Sequence, residues 1–281
     1  MDYNTILIIM SILFGASWGS FLNVVISRIP EGLSVVSPPS RCPVCKNKIK
    51  PYDNIPILSY LFLKGKCRNC STKISIEYPI VEFIGGVMGL SLYLEFDFTI
   101  EYLYFFIFAF GMIALAFIDL KHWMVPDSTL IFLGIVGLTI PAVSYFLNYI
   151  FYINIVKSLI GGLIGFGIIA IIIILYKLIR NMDALGWGDA YVLGIAGIYL
   201  GPKGAIATLF FSVFQASVIG IIMIAIGKKQ TVPYDDIDDD DPIKDKAALP
   251  FIPFLIIGSL EYLFWGETIL NWWFRFMKIG N

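Results

Sequence analysis

Residues 155–178 read Ile-Val-Lys-Ser-Leu-Ile-Gly-Gly-Leu-Ile-Gly-Phe-Gly-Ile-Ile-Ala-Ile-Ile-Ile-Ile-Leu-Tyr-Lys-Leu, and no charge interrupts them between Lys157 and Lys177. A helix rises 1.5 Å per residue, so about 20 apolar residues cross the roughly 30 Å hydrocarbon core of a bilayer. Backbone polar groups cannot go unpaired in lipid, which leaves helices or closed barrels. The apolarity here is continuous instead of alternating with period two, so the stretch is a helix. Seven more blocks read the same way, at about 5–28, 79–96, 99–118, 128–148, 189–201, 204–226 and 250–268. The block at 189–201 is short. The first has no basic leader or small-residue cleavage site and carries polar Ser17, Ser20 and Asn23, so it reads as a span and not a signal peptide. The expected fold is an all-α polytopic membrane protein of about eight transmembrane helices.

The composition agrees. Of 281 residues, 58% are hydrophobic and 15% charged, against roughly 25% charged in a soluble domain. Such a chain cannot cover a water-facing surface, which excludes a cytosolic enzyme, a disordered protein and a small disulfide scaffold. A net charge of −1 leaves no basic excess to displace counterions from phosphate, so no nucleic-acid partner is expected.

The lysines and arginines set the orientation. With eight spans and the N-terminus outside, sixteen of the 20 fall on the cytoplasmic side, leaving Lys157, Lys203, Arg275 and Lys278 outside. Three parts follow: a first transmembrane helix (1–28), a basic cytoplasmic insert (29–78), and a transmembrane bundle (79–281). The bundle carries a cytoplasmic loop, 227–249, with an acidic run over 235–241. No internal repeat is evident.

All four cysteines lie in the insert, as Cys42-Pro-Val-Cys45 and, 21 residues on, Cys67-Arg-Asn-Cys70. Paired Cys-x2-Cys turns point to a zinc-ribbon-like tetrahedral Zn²⁺ site. Disulfides or free thiols are the alternative, disfavoured in a reducing compartment. Four thiolates leave no open position for water, so the metal would be structural, in a loop too small for much core of its own.

Charges at the rim of a helix bundle are candidates for function. Asp119 ends the third span, and Asp189 opens the sixth in Gly186-Trp187-Gly188-Asp189. Both fall at the same expected depth, and two close carboxylates sharing a proton can act as general base and general acid. Glycines at 186 and 188 would let a substrate backbone approach. A rim cap or ion pair is the bland reading of either aspartate. Asp127, after Pro126, reads as the N-cap of the fourth span. The lone histidine, His122, reads as a rim residue, and Lys121 and Trp123 as interfacial anchors.

Five segments in this order resemble the type IV prepilin peptidases, or leader peptidases/N-methyltransferases, of the Gly-x-Gly-Asp intramembrane aspartyl protease family. They are Gly19-Ser20-Phe21-Leu22-Asn23-Val24-Val25, the two cysteine pairs, Ile74 through Glu82, Asp119 through Asp127, and Gly186 through Asp189. The resemblance implies a bifunctional enzyme of the bacterial cytoplasmic (inner) membrane. Asp119 and Asp189 would cleave the basic leader of a type IV pilin-like precursor after a Gly, at the cytoplasmic face. The new N-terminal residue would then be methylated from S-adenosyl-L-methionine, with Asn23, Gly65, Glu77 and Glu82 as candidate cofactor residues. Asn23 and Glu82 also read as interhelical hydrogen-bond partners, and Gly65 as a turn residue before Cys67. The partners implied are pilin-like precursors and membrane lipid. The family tends toward Pro-Phe-Gly-Pro where this chain has Pro250-Phe251-Ile252-Pro253, which bears on the packing of the last span. Peptidase activity alone, a membrane-helix protease of another kind, and a non-enzymatic component of a pilus or secretion machine with a zinc-stabilised docking loop are the rival readings.

Overall fold

The computed structural model describes residues 2–180, 186–226 and 249–276, which form helices and irregular loops without a named β-strand. The acidic run at 235–241 lies outside the described residues. Seven of these helices are long and apolar enough to cross a membrane. The chain divides into two compact units, Met1–Ala114 and Leu115–Asn281.

In the first unit α1 (Tyr3–Arg28) leads into the insert, which contains the short helix α2 (Leu58–Phe62). The chain re-enters the apolar region through α3 (Glu77–Phe96) and then α4 (Ile100–His122), whose last residues belong to the second unit. α1 and α3 touch backbone to backbone. A Cβ on Gly19 would lie 2.7 Å from the Val81 carbonyl, and one on Gly85 would lie 2.6 Å from that of Gly15. The contact is two Gly-x3-Gly stripes, Gly15/Gly19 and Gly85/Gly89, laid against each other. Lipid tails are as apolar as leucine, so close packing, not hydrophobic exclusion, is what joins helices here.

The second unit repeats this device. In α6 (Ile155–Arg180), Gly161 and Gly165 face Gly197 and Leu193 of α7 (Trp187–Ala225), and a Cβ at Gly161 or Gly197 would overlap the opposite carbonyl. α5 (Asp127–Phe146) joins them through Tyr199, whose hydroxyl donates to the Leu133 carbonyl at 3.1 Å. Ser158 donates to the Ile198 carbonyl at 2.6 Å. Interhelical bonds of this kind contribute only about 0.6 kcal/mol on average in a membrane, so the glycine seam does most of the holding.

α7 is not one rod. Gly201 takes φ 75, ψ −176 in its middle, and Pro202 follows without an N–H. Beyond the break the helix runs back along α8 (Ile252–Phe276). Gly204 lies against Tyr262, and Gly258 against Thr208 and Ser212. Ser212 donates to the Phe254 carbonyl at 3.0 Å. Gly188, at the start of α7, also lies near Ile252. The two halves therefore correspond to the sixth and seventh expected spans, and seven long helices supply eight apolar segments.

The insert holds the repeat that the sequence reading missed. Arg41–Ile49 and Lys66–Ile74 are two copies of one nine-residue knuckle, 25 positions apart. Each closes an antiparallel bridge, Arg41 to Lys48 and Lys66 to Lys73. Cys42 donates to the Asn47 carbonyl at 3.0 Å and Cys67 to that of Thr72 at 2.8 Å, while Lys46 and Ser71 each sit at φ 57. Five of the nine side chains differ, and besides the cysteines only Lys48/Lys73 and Ile49/Ile74 are shared, so the likeness is clearer in the backbone than in letters.

Candidate active site and metal centre

α4 ends just past Asp119. Trp123 enters the left-handed region (φ 52) and its N–H bonds back to the Asp119 carbonyl at 2.9 Å, capping the last turn. Asp119 thus sits inside the final turn and not beyond it. Asp189 occupies the third position of α7. Its Oδ2 accepts the N–H of the N-cap residue Gly186 at 3.1 Å, and its own N–H donates to the Gly186 carbonyl at 3.1 Å. This reciprocal pair sets the Asp189 rotamer and places its carboxylate at the positive end of a helix.

Both aspartates line one cleft of about 500 Å³, with Asp127, Trp123, Tyr191 and Phe251 among its other walls. They are deeply buried, at 6% and 7% exposure, and Asp119 Oδ2 has no hydrogen-bond partner among the described residues. A buried acceptor left unpaired costs about 1–3 kcal/mol or more when charged, so this oxygen is held in place for something that comes to it. Gly186 and Gly188 line the same cleft. The space beside Gly186 holds nothing nearer than 3.7 Å, whereas a Cβ on Gly188 would lie 2.6 Å from Val125 Cγ2. Gly188 therefore lets the α4–α5 loop close onto α7.

One position differs from the sequence reading, and two others gain a role beyond it. The N-cap of α5 is Pro126, whose missing N–H suits a helix start; Asp127 is the first helical residue, exposed and without a capping bond. Trp123 is a wall of the cleft as well as a residue of the rim. The segment Leu249–Ile252 closes another side of the cleft, with Ile252 where the family favours glycine. His122 is exposed at the end of α4.

The four cysteine sulfurs lie within 4.8 Å of one another, and Cys42 Sγ is 3.8 Å from Cys70 Sγ. A tetrahedral Zn²⁺ with bonds of roughly 2.3 Å sets its sulfurs about 3.8 Å apart, so the donor set fits zinc. The Cys45 and Val44 amides pull the Cys42 thiol below its usual range. The Thr72 hydroxyl, then its amide, brings Cys70 down to about 6. The Asn47 amide acts the same way on Cys45, but burial and the neighbouring sulfurs push it up to about 11. Four thiolates this close repel one another, and a divalent cation is the natural remedy. Arg68 braces the second knuckle by a forked ion pair to Asp53, at 2.5 to 3.0 Å, which holds the Asp53 carboxyl below its usual range.

The four candidate cofactor residues occupy separate positions. Asn23 donates to the Tyr78 carbonyl at 3.1 Å, tying α1 to α3. Glu82 Oε2 accepts the Ile57 N–H at 2.7 Å and so holds a β-branched residue at φ 62. Gly65 (φ 67) lies under the Tyr60 ring, and its carbonyl accepts the Ile74 N–H at 2.8 Å. Glu77 is the first residue of α3.

Comparison with known proteins places this geometry. Residues 13–96 match the bacterial peptidase A24 N-terminal domain, and residues 106–224 match the type IV leader peptidase family. The prepilin leader peptidase/N-methyltransferase of Myxococcus xanthus (strain DK1622) is 32% identical over 238 residues, covering 84% of this chain and 68% of its own. The protein of that name from Legionella pneumophila is 31% identical over 284 residues, covering 93% and 92%. The one from Bacillus subtilis (strain 168) is 28% identical over 272 residues, covering 95% and 98%. No solved structure matches. With two relatives above 30% identity over most of their length, and both family domains present in order, the chain belongs to the type IV leader peptidase family.

Proposed function

We propose that this multi-pass protein of the bacterial inner membrane removes the basic leader of type IV pilin-like precursors and then N-methylates the new N-terminus. The observation that carries the reading is the cleft lined by Asp119 and Asp189, two buried carboxylates 70 positions apart in sequence. In the peptidase step one carboxylate is ionised and takes a proton from water. The water attacks the carbonyl carbon of the scissile bond while the other carboxyl donates to its oxygen. The carboxyl formed from the base then protonates the leaving amine as the C–N bond breaks, and the other carboxylate takes back a proton from a hydroxyl of the gem-diol, giving a carboxylic acid product. Gly186 leaves room for the substrate backbone beside Asp189.

The 16-to-4 division of lysines and arginines supports a cleft at the cytoplasmic face. A basic leader stays on that side by the same rule, while the apolar segment of the precursor enters the bilayer. Residues 29–78 act as the zinc-binding, methyltransferase-associated module and 79–281 as the peptidase bundle. Cys42, Cys45, Cys67 and Cys70 hold a structural Zn²⁺, which fixes the two knuckles relative to each other. S-adenosyl-L-methionine supplies the methyl group. Asn23, Gly65, Glu77 and Glu82 support that half by shaping the insert against α1 and α3, since Asn23 and Glu82 use polar atoms to hold backbone there.

The test is mass spectrometry of a pilin precursor co-expressed with the protein, which reads the cleavage position and the added methyl together. Asp119→Asn and Asp189→Asn should each leave the precursor intact in a folded, inserted protein. Full processing by both variants would overturn the dyad.

A further inference from the structure

The mechanism uses two carboxylates of the cleft, but the wall contains a third. Asp127 lines the same cavity, and no lysine or arginine among the described residues does. It is exposed, whereas Asp119 and Asp189 are buried, and it makes neither a capping bond nor an ion pair among the described residues. Its position is built. The loop from Trp123 to Pro126 is pinned at one end by the αL turn at Trp123 and in the middle by Val125, seated where Gly188 has no side chain. Pro126 then fixes the entry to α5. A second feature points to an incoming ligand: Asp119, over nine-tenths buried, faces the cleft with Oδ2 unpartnered. Among the described residues the cleft thus has two buried carboxylates for chemistry, one exposed carboxylate at its wall, and no lysine or arginine beside them. Trp123, Trp187 and Tyr191 in the same wall offer aromatic faces that also favour a cation.

We infer that Asp127 is a specificity-determining residue that pairs with a cationic side chain of the substrate while the scissile bond lies over Asp119 and Asp189. The inference rests on the peptidase reading above and deepens it, assigning recognition of leader charge to a named residue. It also explains why the first helical position of α5 carries a carboxylate inside a cleft already rich in them. Mere helix-dipole stabilisation would be served equally well by a carboxylate outside the cavity.

The test uses the full-length protein in detergent or vesicles and three precursor peptides. One has lysines in its leader, and in the other two, glutamines or glutamates replace them. For the lysine leader, Asp127→Asn should raise KM about five- to tenfold with kcat within about twofold, the pattern of a lost binding interaction. For the glutamine leader, wild type and variant should have the same KM. Asp127→Lys should cut a glutamate-bearing leader better than the lysine one, a reversal that a structural defect does not produce. Equal loss on both leaders, or a fall in kcat alone, would overturn the assignment and make Asp127 a structural residue. Failure of the wild type to cut any of the precursors would overturn the peptidase reading itself, a different outcome from selective cutting that ignores Asp127.

Discussion

The cysteine module and the aspartate cleft solve opposite problems. In the insert, four sulfurs come from 29 consecutive residues, two copies of one knuckle form around them, and Cys42, Cys45 and Cys70 have amide or hydroxyl donors close by. In the cleft, two carboxylates come from positions 70 apart, and one oxygen has no partner among the described residues. The first arrangement is closed and needs only an ion to be complete. The second is deliberately incomplete, because groups satisfied by the protein have nothing left for a substrate. A structural site and a reactive site can thus be told apart by what their polar atoms still lack.

The sharpest way to break that contrast is at the carboxylates. Asp119→Asn or Asp189→Asn should lower cleavage at least about a thousandfold, with unchanged helical content by circular dichroism. Cys42→Ser should reduce bound zinc to background in metal analysis and expose the insert to trypsin. Cleavage should fall less than tenfold and methylation much further, because the module does not supply the reacting carboxylates. Equal losses of both activities would erase the division of labour.

A smaller effect tests the helix seam behind Asp189. Gly161→Val places branched carbons against the Gly197 backbone and should destabilise by about 1–3 kcal/mol, seen as a lower midpoint of thermal unfolding. The matched control is Gly167→Val, where a Cβ meets nothing within 4 Å and the midpoint should hold.

The smallest effect belongs to the Arg68–Asp53 pair in the exposed insert. The Asp53 carboxyl is held below its usual range, so its contribution is present above the ordinary carboxylate pKa. It disappears as pH falls through the lowered value. Asp53→Asn should speed proteolysis of the insert slightly at neutral pH, and the difference from wild type should vanish in acid. A difference that grew on acidification would refute the sign.

How much was legible in the sequence follows from how local each feature is. The eight apolar blocks were readable because each helix must be apolar for its own length. The turn-back at Gly201 was already visible as a gap between two blocks. The cysteine site was readable because its ligands come in fixed-spacing pairs. The two aspartates stood out because charge is scarce near a membrane. What escaped depends on partners far along the chain. Gly188 answers to Val125, Trp123 becomes a wall only once α7 and the 249–252 segment close round it, and the Gly-x3-Gly stripes of α1 and α3 mean little until they meet. The knuckle repeat escaped for another reason: it is only nine residues long, and five of its nine side chains change while the backbone path is kept.

The break at Gly201 also bears on how water reaches the carboxylates. The first half of α7, Trp187 to Leu200, has 14 residues, or about 21 Å of helix, against a hydrocarbon core of roughly 30 Å. The shortfall of about 9 Å has to be absorbed by local thinning of the bilayer or by an end lying below headgroup level. On the peptidase reading proposed above, with Asp189 in the first turn of that half, such a mismatch would give a hydrolytic water and a peptide bond a place to meet at the membrane edge.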